Sequence, residues 1–289
     1  MDQRRWPMLS NRAPERRDTP VFMTRVILCL ALAACGPAVS GRDDAGGLDG
    51  PGDDGSNIDA APDVSGPVNV VITADNAYSF GYGTAAGITN FTQGQRAQSA
   101  GQIFNCPIGE GPETYVIPEA DAPDGAYLYI VTWDDLSVTQ GVLGQFTRDM
   151  GSVFTGDPRF EVCATGIDYS TGADALVGPS QAIINTEIAR CNSGAGAAGT
   201  TSKGWVNSAG AVVAGATGVL AVGEMNDDAA GAFPITCQPT ATTLGITSTA
   251  KWMWYDPQDG QGGDAFHSTG VNRFKAFLIF RLGVADIIF

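Results

Sequence analysis

The chain has 289 residues and a formal net charge of −15, with 31 Asp and Glu against 16 Lys and Arg. A surface this acidic repels phosphate backbones, which excludes nucleic acid as a natural partner; it suits cations, or simple solubility outside a cell. Seven basic residues (Arg4, Arg5, Arg12, Arg16, Arg17, Arg25 and Arg42) lie at or before Arg42, so the rest of the chain is more acidic than the whole.

The residues before Met23, with Pro7, Pro14 and Pro20 among their arginines, fit no element, and Met8 and Met23 are both candidate starts. From Met23-Thr24-Arg25 an apolar run, Val26 to Ala34, leads into Leu32-Ala33-Ala34-Cys35. A membrane-spanning helix needs about 20 apolar residues, and this run is too short. A basic start, an apolar segment and two small residues before a cysteine resemble the lipobox of bacterial lipoproteins. The resemblance implies cleavage before Cys35, a lipid on Cys35, and attachment to the cell envelope at the outer membrane or cell surface. Gly36 stands where the retention signal of enterobacterial lipoproteins has Asp, which implies outer-membrane delivery. Residues 1–35 are therefore set apart as an upstream region and signal peptide.

Residues 36–66 are rich in Gly, Asp, Ala and Pro and hold no aromatic residue. Such a segment buries too little to offset its ordering entropy and reads as a self-repelling acidic tether. Residues 67–289 suit one β-sandwich domain. Val68 to Thr73 alternates and is β-branched; Tyr78, Phe80 and Tyr82 recur at period two; both patterns predict strands. Ala126 to Trp133 is apolar on both faces, which predicts a central, doubly covered strand. Further strands are expected at Arg159 to Ala164, Gly218 to Val222, Ile246 to Tyr255 and Phe274 to Leu282. One helix is expected over 179–191, with Pro179 in its first turn, apolar residues three to five apart, and Asn192-Ser193-Gly194 as its stop. The expected fold is mainly β, a jelly-roll-like sandwich with one short helix, and it is similar in architecture to accessory β-sandwich domains of exported bacterial proteins.

Beyond Cys29 and Cys35 the chain has Cys106, Cys163, Cys191 and Cys237. No close Cys pair suggests a metal site, and an even number in an exported chain reads as two disulfides. Of the three connectivities, neighbourhood favours Cys106–Cys163 with Cys191–Cys237.

Catalytic signals are few. His267 is the sole histidine, and no serine near it has a nucleophile context. Glu224-Met225-Asn226-Asp227 resembles the E-x-D-x-x-E motif of jelly-roll glucanases, but Asn226 replaces the first Asp and Ala229 the second Glu. No catalytic residue is therefore assigned. The loop Asp256 to Asp264 gathers Asp256, Asp259 and Asp264, and Gly260-x-Gly262-x-Asp264-x-Phe266 is similar to one turn of a calcium-binding nonapeptide repeat. That makes calcium the candidate cofactor there, a solvated turn being the competing reading. Trp205, Trp252 and Trp254 are the best candidates for an aromatic sugar platform, although stripes at period two are more often core. The leading expectation is a non-catalytic surface protein that binds, adheres or builds the envelope, with a surface glycan or another envelope protein as partner. The alternative is a carbohydrate-active module, either a sugar-binding domain or a glycoside hydrolase.

Overall fold

The computed structural model describes residues 65–106, 111–133, 138–170, 174–227, 229, 231–241, 244–258, 263–267 and 276–288. Cys35, residues 36–64 of the expected tether, and Asp259 lie outside them.

The strands are β1 (Val68–Asp75), β2 (Ala77–Thr84), β3 (Gly87–Arg96), β4 (Glu113–Ile117), β5 (Ala126–Trp133), β6 (Gly141–Arg148), β7 (Gly151–Phe154), β8 (Glu161–Asp168), β9 (Trp205–Asn207), β10 (Gly210–Ala211), β11 (Val219–Met225), β12 (Lys251–Asp256) and β13 (Ala276–Gly283). The helices are α1 (Ala100–Phe104), α2 (Asp174–Val177) and α3 (Gln181–Ser193). One sheet runs β11-β12-β6-β1-β4, with β7 also paired to β6; the other runs β10-β9-β8-β13-β5-β2-β3. The described pairings are antiparallel and the two sheets form a β-sandwich. The chain passes repeatedly between the two sheets.

Side-chain alternation explains the layers. On β5, Leu128 and Ile130 point into the space between the sheets, while Tyr129, Val131 and Trp133 belong to a second apolar cluster. On β13, Leu278, Phe280 and Leu282 take the first role, Phe277 and Ile279 the second. These two strands are apolar on both faces because both faces are covered. The second cluster is closed by α3, whose Ile184, Ile188 and Cys191 recur at helical spacing on its buried face. Each fully buried side chain of this size contributes about 1.5–3 kcal/mol. Below α2, Trp133 Nε1 donates to Ala175 O at 3.1 Å, and a Cβ at Gly94 would sit 2.7 Å from the Trp133 ring. Glycine there is a packing requirement.

The expected cysteine pairing is corrected: the bonds are Cys106–Cys237 and Cys163–Cys191. Cys163 points out of β8 into the second cluster, where the buried face of α3 brings Cys191 against it. Cys237 N donates to Phe104 O at 3.2 Å, which sets Cys237 beside the end of α1 and hence beside Cys106. Sequence spacing does not rank the pairs, since Cys163–Cys191 spans the shortest separation, 28 residues, and Cys106–Cys237 the longest, 131. Two strand bounds also move. Arg159 sits in a turn, its N–H donating to Asp157 Oδ1 at 2.9 Å, so β8 begins later. Ile246 is buried but irregular, because its carbonyl accepts from the Asn226 amide at 3.0 Å rather than from a strand.

Candidate functional site

The edge strands β3 and β4 end their respective sheets on the same side of the sandwich. Between them runs a groove of about 410 Å³ lined by Phe80, Tyr82, Asn90, Phe91, Tyr115 and Ile117, among others. Phe80 and Ile117 are buried and form its floor; Tyr82, Phe91 and Tyr115 are half-buried; Asn90, Thr114 and Val116 are exposed. Tyr115 is fixed by the Phe80 ring, with centroids 4.6 Å apart, and by a 2.9 Å bond between its hydroxyl and that of Tyr78. Tyr82 Oη donates to Asp121 Oδ2 at 3.3 Å. Burial pushes the Tyr115 phenol up to about 12 and raises Tyr78 as well. Tyr82 is also raised, by desolvation and then by the Asp121 carboxylate. At neutral pH all three phenols therefore stay protonated, able to donate as well as accept.

The two edges differ in how they are covered. Asn185 of α3 accepts from Ile88 N at 2.7 Å and donates to Ile88 O at 2.9 Å, with Gln181 Nε2 donating to the same carbonyl at 2.9 Å. Gln93 Nε2 donates to Val177 O at 2.9 Å. Side chains of α3 thus hold β3 at Ile88, and Gln93 links it to the end of α2. Among the described residues, β4 pairs with β1 alone.

A second pocket, also about 410 Å³, brings together Glu224, Phe233, Asp264, Phe266 and His267. His267 Nδ1 lies 2.8 Å from Asp264 Oδ2, and Asp264 Oδ1 accepts from Phe266 N at 2.9 Å. Glu224 accepts from Ala232 N at 3.1 Å and from Phe233 N. Its carboxylate holds the loop that follows β11. Asn226 is fully buried; it donates to Thr236 O at 2.7 Å and accepts from Thr236 N at 2.6 Å. The residues that resembled a glucanase motif therefore cross-link a loop, and among the described residues no serine lines the pocket beside the His–Asp pair.

The sugar platform expected at Trp205, Trp252 and Trp254 is also corrected. All three are fully buried, Trp252 stacked on Phe233 at 4.0 Å between centroids, Trp205 beneath Arg281. Their ring faces serve packing, and a sugar has no access to them. Of the expected calcium ligands, Asp256 Oδ1 accepts from Gln258 N at 2.8 Å and Asp264 holds His267. Among the described residues, no three His, Cys, Asp or Glu side chains gather as a metal-ligand group.

Sequence reading missed the groove because β3 is largely polar and only partly buried, and β4 is short. One signal was present: Thr114-Tyr115-Val116-Ile117 is a β-branched and aromatic run bracketed by Pro112 and Pro118, as expected of an edge strand. No family model, no curated protein and no solved structure matches this chain.

Proposed function

We propose that the chain is a lipid-anchored bacterial envelope protein with a non-catalytic binding role, tethered at Cys35 and receiving its ligand in the groove between β3 and β4. The observation that carries this reading is the groove itself, a cleft where the two sheets stay open, with protonated phenols and half-buried rings over an apolar floor. The lipobox at Leu32 to Cys35 supports the anchoring, and the pairing of the four remaining cysteines suits an oxidising compartment.

The carbohydrate-binding alternative is favoured by the half-buried Tyr82, Phe91 and Tyr115 beside the Asn90 amide, a combination that suits a sugar ring. Hydrolysis is disfavoured, because Glu224 and Asn226 are committed to backbone groups.

Arrays of peptides and of oligosaccharides test both readings. Asn90→Arg together with Thr114→Arg fills the groove from exposed positions without touching the core. Binding lost in this variant supports the groove as the ligand site, and the class of ligand lost selects between the readings. Binding that survives the substitutions overturns both.

A further inference from the structure

We infer that the groove is an aromatic cage for a small organic cation, a free trimethylammonium compound of the choline type. This deepens the binding role proposed above, on which it rests, by naming the class of ligand. Phe80 and Ile117 make an apolar floor, with Tyr82 and Tyr115 half-buried beside them. The Phe80 and Tyr115 rings are packed together, 4.6 Å apart between centroids. Tyr82 belongs to the opposite sheet, and its hydroxyl crosses to Asp121, just beyond β4, at 3.3 Å. The phenol protons are already committed. Tyr82 Oη donates to Asp121 Oδ2; Tyr115 Oη shares a 2.9 Å bond with Tyr78 Oη, which itself donates to Ile72 O at 3.5 Å. What these two tyrosines leave for a ligand is ring faces and oxygen lone pairs, both of negative character.

Charge and size select the ligand. Among the described residues that line the groove none is charged, while Glu119, Asp121 and Asp124 are exposed just after β4. No Lys or Arg occurs between Arg96 and Arg148. The local field is therefore negative and attracts a cation. A metal ion is a poor occupant, because calcium wants six to eight oxygens and rings do not replace its water. A primary ammonium is compact and strongly hydrated. A trimethylammonium group instead carries its charge under methyl groups, so it can leave water for an apolar floor and still be held by ring faces. The groove volume of about 410 Å³ lies in the range of small-molecule sites. A phosphate beside the ammonium would meet the same carboxylates, which favours the free cation over a phospholipid headgroup.

The test uses the full-length chain in polyoxyethylene detergent and follows the methyl line width of each probe by NMR as protein is added. The probes are choline, its uncharged isostere in which carbon replaces the ammonium nitrogen, and phosphocholine. The expected result is saturable binding of choline with a Kd of about 1 mM that weakens as salt rises. The isostere in place of choline, and Tyr82→Leu, should each weaken binding by about ten-fold or more. Asp121→Asn, and phosphocholine in place of choline, should each weaken it by about three-fold. Tyr82→Phe retains the ring and should stay within about three-fold of the native chain. Asp256→Asn, in β12 three strands from β4, should change nothing. Equal binding of the isostere overturns the cation, because burial of methyl groups then suffices. Phosphocholine bound as tightly as choline overturns the free cation in favour of a headgroup. A Tyr82→Leu chain that melts like the native one and binds choline as tightly overturns the cage. Should that variant fail to fold, the isostere and Asp121→Asn, an exposed position, decide alone. If no probe binds at up to about 50 mM, the inference is overturned; the arrays with the Arg substitutions then decide the broader reading on their own.

Discussion

The guanidinium of Arg281 lies 3.9 Å over the ring of Trp205. Its Nε and Nη2 reach Glu161 Oε2 at 2.6 Å each, and its Nη1 donates to Asn192 Oδ1 at 3.0 Å. Trp205 Nε1 donates to the same Asn192 oxygen at 2.7 Å. A single buried cation thus joins β13, β8, β9 and the end of α3. Stacking on an aromatic face and a forked set of donors are what arginine supplies and lysine does not. Arg281→Ala should cost about 3 kcal/mol in urea unfolding, because it leaves Glu161 without its counter-charge in a largely dry setting. Arg281→Lys should be milder but still destabilising, through loss of the stack and one donor. An Arg281→Ala variant as stable as the native chain would sink this account.

The Cys163–Cys191 bond closes a separation of 28 residues, and Cys106–Cys237 one of 131. Replacing Cys163 and Cys191 together with serine should cost about 3 kcal/mol, and replacing the other pair about 4–5 kcal/mol, in the chain-entropy account. The first replacement should also speed amide exchange in α3, which the bond holds against β8. Thiol labelling of the denatured, unreduced chain should find none of these four cysteines free.

Glu187 is only 1% exposed, and its Oε2 has no hydrogen-bond partner among the described residues, although Oε1 accepts from Arg190. Desolvation raises its pKa above the ordinary 4.5, against the lowering effect of Arg190. The folded chain therefore holds this proton more tightly than the unfolded chain. Its contribution to stability is fully present below pH 4.5 and is lost as pH rises through the raised folded value. Glu187→Gln should accordingly gain on the native chain as pH rises from 4, ending about 1 kcal/mol more stable at pH 7. Asp157, lowered by Arg159, gives the opposite slope in both proteins and cancels from the difference. Melting curves of the pair across pH 4 to 8 provide the measurement, and a constant gap in Tm would refute the assignment.

Cys35→Ser should abolish lipid attachment, leaving the chain uncleaved or released from the membrane fraction. Fractionation and intact mass of the variant give the readout. A mass and distribution identical to those of the native chain would overturn the lipoprotein reading.

The strands with strong patterns were legible in the sequence for a plain reason. β1, β2, β5 and β13 are covered on one face or both, and burial writes itself as alternating or continuous apolar residues. β6 was hidden because Gly141 and Gly144 interrupt its pattern. A Cβ at Gly141 would lie 2.7 Å from Trp252 of the neighbouring strand, so close packing removed the very side chain that would have announced the strand. The helix was legible at 179–191 and forms as Gln181–Ser193. Its partner was not, because the outer face of β5 and β13 reads the same whatever covers it.

By itself the sequence determined the acidity of the chain, the mainly β composition, the even set of four cysteines beyond Cys35, and a stretch from Leu32 to Cys35 that resembles a lipobox. Each of these is carried by neighbouring residues or by totals, and needs no knowledge of what folds against what. Tertiary structure alone decided the pairing of those cysteines, the burial of Trp205, Trp252 and Trp254, and the meeting of β3 and β4 at one open side. These depend on which strands end the sheets and which face α3 covers, and contacts between residues distant in sequence leave no local pattern.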